Sequence, residues 1–174
     1  GLDKDMPLVA GRDLDYATLR AQHLDTQVPC TFVESSHPSY ILYTSGTTGK
    51  PKGVVTCHGQ NIRTFETWSA TVGLCCDDNY LIINPFFHSF GYKAGWLAAI
   101  IRGAHILPVL NFDLDTVLAQ IERDRISMIP GPPTIYQSLL AHPRRKDHDL
   151  SSLRLAVTGA APVPVELVRR MREE

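Results

Sequence analysis

Tyr43-Thr44-Ser45-Gly46-Thr47-Thr48-Gly49-Lys50-Pro51-Lys52-Gly53-Val54 is the most informative stretch of this chain. It continues the short apolar, β-rich run Tyr40-Ile41-Leu42-Tyr43, so it reads as a loop leaving a buried strand. Gly46, Gly49 and Gly53 permit positive φ, Thr44, Ser45, Thr47 and Thr48 offer hydroxyl donors, and Lys50 and Lys52 add positive charge. Inward-turned backbone N–H groups backed by hydroxyls and ammonium groups are what a phosphate requires. A short Gly-Thr loop is usually just a polar turn between two strands. A run of this length and composition after a buried strand favours phosphate binding instead.

The loop is not a Walker loop. The pattern GxxxxGK[ST] would need glycine at Thr44 and a hydroxyl at Pro51. Proline there also biases Lys50 toward extended backbone, so the loop is not expected to lead into a helix.

Outward from this stretch, strands and helices alternate. Strands are expected at Tyr80–Ile83, Ala104–Leu110, Ile126–Ile129 and Leu153–Thr158. Helices are expected at Leu14–Leu24, Asn61–Val72, Lys93–Ile101, Asp113–Arg123, Thr134–Ala141 and from Pro164 onward, with Asn111 or Asp113 as a cap and Pro164 in a first turn. That alternation implies an α/β fold with a parallel-type sheet flanked by helices, in which ligands bind beyond the carboxyl ends of the strands. The loops after Tyr43, Ile83 and Val157 are then the candidate ligand loops. Residues 1–38 read as a connector and the start of a subdomain, and residues 39–174 as the main domain.

Bulk composition narrows the function classes. The chain has 174 residues, 44% hydrophobic and 20% charged, with a formal net charge of -1, which fits a globular domain with a sizeable core. The balanced charge gives no reason to expect nucleic acid or an anionic membrane as partner, so an anionic ligand must be held locally. The apolar run around Ala98–Leu107 is broken by Arg102 and His105, and no transmembrane segment or signal peptide is expected. Cys30, Cys57, Cys75 and Cys76 make no metal or disulfide framework and read as reduced thiols of a cytoplasmic protein. The seven histidines lack zinc spacing. Both termini read as cut: Gly1-Leu2-Asp3 is no translational start, and Arg169–Glu174 lies inside a helical pattern.

YTSGTTGKPKGV resembles the nucleotide-binding loop of the adenylate-forming superfamily, which includes acyl- and aryl-CoA ligases, peptide adenylation domains and firefly-type luciferases. The resemblance implies that Thr44, Ser45, Gly46, Thr47, Thr48, Gly49, Lys50 and Lys52 close over the β- and γ-phosphates of ATP while a carboxylate attacks the α-phosphorus. Pro85-Phe86-Phe87-His88-Ser89-Phe90-Gly91 is similar to the family's P-x-F-H-x-x-G motif. By that likeness His88 is the candidate catalytic residue, near the carboxylate and the mouth of the acyl pocket. A lone His among aromatics is otherwise more often packing. Thr158-Gly159-Ala160-Ala161-Pro162 resembles the G-G-A-P-like segment that lets adenine approach the backbone, with Thr158 a mild departure. Pro130-Gly131-Pro132-Pro133 resembles the segment beside the acyl pocket, which by likeness includes Phe87, His88, Gly91, Trp96, Gly131 and Pro132.

No acidic residue accompanies Phe86–Phe90, which argues against an amino-acid substrate, because an unpaired ammonium there would be costly. Phe86, Phe87, Phe90, Tyr92 and Trp96 fit either an apolar acyl pocket or ordinary core. Lys93 is the unusual residue of the segment, facing a polar substituent, a CoA phosphate or simply solvent. FHSFGYKAGW, RGAHILPV and MIPGPPTIYQSLL most resemble actinobacterial fatty-acid and steroid-side-chain CoA ligases.

The resemblance implies part of the large N-terminal domain of an AMP-forming acyl-CoA ligase using ATP, Mg2+ and CoA. The magnesium-binding acid, the ribose-gripping aspartate and the small C-terminal domain with its lysine have no counterpart here. The chain alone is therefore expected not to turn over. Transfer to a carrier-protein thiol, or a non-catalytic nucleotide-binding role, are alternatives that the sequence leaves open.

Overall fold

Four short strands run parallel in the order β4-β3-β5-β6: β3 (Asn79–Ile82), β4 (His105–Pro108), β5 (Met128–Gly131) and β6 (Leu155–Thr158). They belong to a computed structural model that describes residues 7–45, 49–159 and 161–173. Along β3 the side chains alternate between two faces. Tyr80 and Ile82 join Met128, Leu74, Ala98, Ala99 and Ala104 on one face, and Leu81 joins Ile129, Val117, Leu118, Ile121, Ile126 and Leu139 on the other. The first face is covered by α2 (His58–Val72), a π-helical segment (Phe90–Leu97) and α3 (Ala98–Arg102), and the second by α4 (Leu114–Arg123) and α5 (Pro133–Ala141). Each fully buried Leu or Ile in these clusters contributes about 1.5–3 kcal/mol. A 3₁₀ turn (Arg145–Asp147) precedes β6, and α6 (Val165–Glu173) follows it.

The helix boundaries have local causes. Asp113 caps α4 by accepting the Thr116 N–H at 2.8 Å. Gly73 and Gly103, at φ +74° and +70°, end α2 and α3. α6 begins at Val165 rather than Pro164, whose carbonyl accepts the N–H groups of Leu167 and Val168.

The run Tyr40–Tyr43, expected to join the parallel sheet, does not. It forms β1 (Pro38–Thr44), which pairs antiparallel with β2 (Lys52–Cys57) in a separate two-stranded sheet, with Thr44 opposite Lys52 and Tyr43 opposite Gly53. Val54, Val55 and Thr56 supply the β-branched partner strand. As expected, the loop enters a strand and not a helix. β5 lies two residues beyond its expected position, because Ser127 is spent on side-chain hydrogen bonds below the strand.

The chain divides into two compact units, Gly1–Glu34 and Ser35–Glu174. The first carries the short α1 (Tyr16–Ala21), capped by Asp15 through the Thr18 N–H at 2.7 Å.

Candidate functional site

The strand order reverses at β3. The connection from β3 to β4 crosses the face that holds the π-helical segment, whereas those from β4 to β5 and β5 to β6 cross the opposite face. The chain therefore diverges at the carboxyl ends of β3 and β5, which leaves a crevice there. Three of the segments singled out in the sequence lie on this edge: 85–91 after β3, 130–133 at the end of β5, and 158–159 with 161–162 at the end of β6.

The segment after β3 is folded tightly upon itself. The His88 N–H donates to the Pro85 carbonyl at 2.9 Å, and the Tyr92 N–H to the His88 carbonyl at 2.9 Å. Gly91 is buried so closely that a Cβ would lie 2.2 Å from the Pro85 oxygen and 2.6 Å from that of Asn84, so no other residue fits this turn. His88 is exposed, and its Nδ1 accepts the Phe90 N–H at 3.2 Å. In the neutral ring the proton is then on Nε2, which is left free to donate to an oxygen of a bound molecule. Phe87 is 92% exposed, whereas Trp96 packs on the core and lies tilted against Tyr92, with ring centres 4.7 Å apart.

Two buried polar atoms at this edge lack a partner: Asn84 Oδ1 beyond β3 and Thr158 Oγ1 at the end of β6. An unpaired buried acceptor or hydroxyl costs about 1–3 kcal/mol; among the described residues His142 Nδ1 and His148 Nε2 are in the same condition away from these loops. Asn84 was not singled out in the sequence, although a polar residue between a buried strand and an aromatic loop was a readable signal. Gly131 is buried against Ile135, and Pro132 is the extended residue that starts α5. The Tyr136 hydroxyl donates toward the carbonyls of Ile129 (2.7 Å) and Val157 (3.0 Å), locking β5 to β6 directly below the edge. Burial pushes the Tyr136 hydroxyl well above its ordinary pKa, so it stays a neutral donor. Around Gly159 there is open space, and Ala161 is exposed.

The hairpin loop is carried separately. Thr44, Ser45, Lys50 and Lys52 are exposed, and Gly49 sits at φ +89° with nothing within 4 Å of a Cβ position, so backbone conformation alone selects glycine there. Gly46, Thr47, Thr48 and Ala160 lie outside the described residues. The hairpin is tied to the π-helical segment through Tyr40, whose ring meets Tyr92 edge-on at 5.5 Å and lies 5.3 Å beneath the Lys93 ammonium. The Tyr40 hydroxyl donates to the buried Asn61 at 3.1 Å. Burial, and secondarily the nearby Tyr40, raise the Tyr92 pKa.

Residues 4–174 match the model of the AMP-binding enzyme family. The chain belongs to that family. This AMP-binding chain is 60% identical over 136 residues to the 3-[(3aS,4S,7aS)-7a-methyl-1,5-dioxo-octahydro-1H-inden-4-yl]propanoyl:CoA ligase of Mycobacterium tuberculosis, covering 78% of the chain and 27% of that protein. It is 44% identical over 176 residues to the ligase of the same name from Rhodococcus jostii, covering 100% of the chain and 34% of that protein. It thus spans about a third or less of the length of these curated relatives. The inhibitor-bound N-terminal domain of FACL13 from Mycobacterium tuberculosis shares the fold with a TM-score of 0.77 at 27% identity, over 88% of this chain and 39% of that one.

Proposed function

We propose that the protein containing this chain is an ATP-dependent, AMP-forming acyl-CoA ligase of which these residues form part of the large domain. The observation that carries this reading is the carboxyl edge: three motif-bearing segments leave neighbouring strands there, beside two buried polar atoms without partners. In the first half-reaction a carboxylate oxygen attacks the α-phosphorus of ATP, the bond from that phosphorus to the bridging oxygen breaks, and pyrophosphate leaves. In the second, the CoA sulfur attacks the acyl carbon, the acyl–oxygen bond breaks, and AMP leaves with that oxygen.

Lys50 and Lys52 screen phosphate charge, and Thr44 and Ser45 donate hydrogen bonds to phosphate oxygens. The His88 Nε2–H donates to the substrate carboxylate and orients it for attack. Thr158 and Asn84 accept or donate to the adenylate. Among the described residues no group of three or more His, Cys, Asp or Glu side chains is arranged to hold a metal ion; the magnesium that the family likeness implies would be held mostly by residues outside this sequence.

The acid is a ring-bearing, keto-substituted propanoate of the kind named for the two relatives, which agrees with the absence of an acidic residue along Phe86–Tyr92. The protein is assigned to the cytoplasm: no described helix is long and apolar enough to cross a membrane, and its cysteines are free thiols.

The test is pyrophosphate release by the full protein against a panel of carboxylic acids, with and without CoA. Release that depends on the acid, with AMP and a CoA ester as products, is the expected result. A well-folded protein that releases no pyrophosphate with any acid would refute the reading, and transfer only to a carrier-protein thiol would correct the acceptor.

A further inference from the structure

The segment after β3 contains a cation that the fold itself does not explain. Lys93 is half-buried on the π-helical segment, and its ammonium lies 5.3 Å from the centre of the Tyr40 ring. No carboxylate pairs with it among the described residues, in contrast to Arg154, which pairs with Asp78 at 2.6 Å, and Arg125, which pairs with Asp149 at 2.7 Å. Its aromatic neighbour is Tyr40, which Tyr92 meets edge-on, and Trp96 lies tilted against Tyr92. A partly desolvated ammonium is stabilised by an aromatic face, but that face gives its three N–H donors no oxygen acceptor, and none is found among the described residues.

The backbone is also unusual here. Phe90–Leu97 is not one regular helix: Gly95, at φ -79° and ψ -107°, breaks it into two helical pieces at a kink two residues after Lys93. Interruptions of a helix are frequent at functional sites. Lys93 lies five positions beyond His88 on the same continuous segment, and that segment packs on the hairpin bearing the phosphate loop through Tyr40.

Resting on the ligase reading above, we infer that Lys93 is a specificity-determining residue: its ammonium donates a hydrogen bond to a carbonyl oxygen on the ring system of the acid, at the end remote from the reacting carboxylate. Two anchors then fix the acid, His88 at the carboxylate and Lys93 at a ring ketone, while Tyr40, Tyr92 and Trp96 supply the apolar wall between them. A site that hydrogen-bonds a polar substituent discriminates strongly against the analogue lacking it, because its own donor is left unpaired. A ketone-free acid would leave Lys93 in that condition.

The experiment uses the full protein and acid-dependent pyrophosphate formation without CoA, with two acids: the dioxo-octahydroindenyl propanoate and its counterpart without the ring ketones. For Lys93→Met, which keeps the apolar stem, the ratio of kcat/KM for the diketo acid over the ketone-free acid is expected to fall about 10–100-fold, mainly through KM. Lys93→Arg is expected to restore most of that ratio. A loss shared equally by both acids would overturn the inference and make Lys93 a residue that only positions the hairpin. An unaltered ratio would overturn it and make Lys93 a solvated lysine, and if the defect appeared only when CoA is added to the same assay, Lys93 would lie against the CoA phosphates instead. Failure of the wild-type protein to form pyrophosphate with any acid refutes the ligase reading itself, and this result is separable from all the others. Thermal unfolding is expected to match wild type for Lys93→Arg and to fall only slightly for Lys93→Met, which loses the contact with the Tyr40 ring, and this separates a selectivity change from misfolding.

Discussion

The two edges of the parallel sheet are built on opposite terms. At the amino edge the groups around Asp78 and Asn79 close on one another, although His142 Nδ1 and His148 Nε2, on the connection into β6, are buried without partners. Asp78, 2% exposed, accepts from Ser127 Oγ at 2.6 Å, Arg154 Nη2 at 2.6 Å and the Cys75 N–H at 2.9 Å. Asn79 donates to the carbonyls of Asp124 and Arg125 and meets His105 Nδ1 at 2.9 Å. These bonds tie the feet of β3, β4, β5 and β6 together. At the carboxyl edge Asn84 Oδ1 and Thr158 Oγ1 are buried without partners, and an exposed histidine keeps one ring nitrogen free. The polar groups of Asp78 and Asn79 are spent on folding, whereas the proposed function gives Asn84 and Thr158 a ligand to meet.

Breaking the amino edge has the largest expected effect. Asp78→Ala in the full protein leaves the Ser127 hydroxyl and the Cys75 N–H unpaired, and is expected to cost about 3 kcal/mol by denaturant unfolding. Arg154→Ala is expected to cost less, about 1–2 kcal/mol, because that guanidinium is half in solvent and its charge is screened. Next comes Gly91→Ala, which drives a methyl group into two backbone oxygens. It is expected to cost about 1–3 kcal/mol, and by displacing His88 to slow acid-dependent pyrophosphate release more than tenfold.

The pH dependence sharpens the contrast. Burial raises the Asp78 pKa, but the bonds from Ser127, Cys75 and Arg154 outweigh it and hold the carboxyl below the ordinary range. A folded-state pKa below the unfolded value of about 3.9 means that the stabilisation is complete above that value and is lost as pH falls through the lower folded one. The unfolding free energy is therefore expected to drop below about pH 4 in wild type, and Asp78→Asn is expected to remove that part of the drop. The smallest effect on stability belongs to the carboxyl edge. Thr158→Val deletes a buried unpaired hydroxyl and is expected to leave stability unchanged or raise it by up to about 1 kcal/mol, while weakening binding of an acyl-adenylate mimic about tenfold.

The sequence carried some of this and hid the rest for physical reasons. Alternating apolar periodicity placed the parallel strands and their helices, and Asp113 announced the start of α4. An apolar run such as Tyr40–Tyr43 does not say with which strand it will pair, so the antiparallel hairpin was misplaced in the parallel sheet. Gly95 and the π-helical turns around it sit in a stretch whose composition reads as ordinary helix. The motif loops were legible because their unusual residue types stand out in sequence, whatever they bind. Asn84 and the Lys93–Tyr40 contact were not, because their importance lies in what they lack or touch in three dimensions.

Hydrogen–deuterium exchange of the full protein, with and without a non-hydrolysable acyl-sulfamoyl adenosine, tests the division of the two edges most directly. Protection is expected over residues 43–54, 84–92 and 158–162, with no change at the amino edge around 75–79, 127 and 154. Protection at the amino edge, or none at the carboxyl-edge segments under saturating ligand, would contradict it.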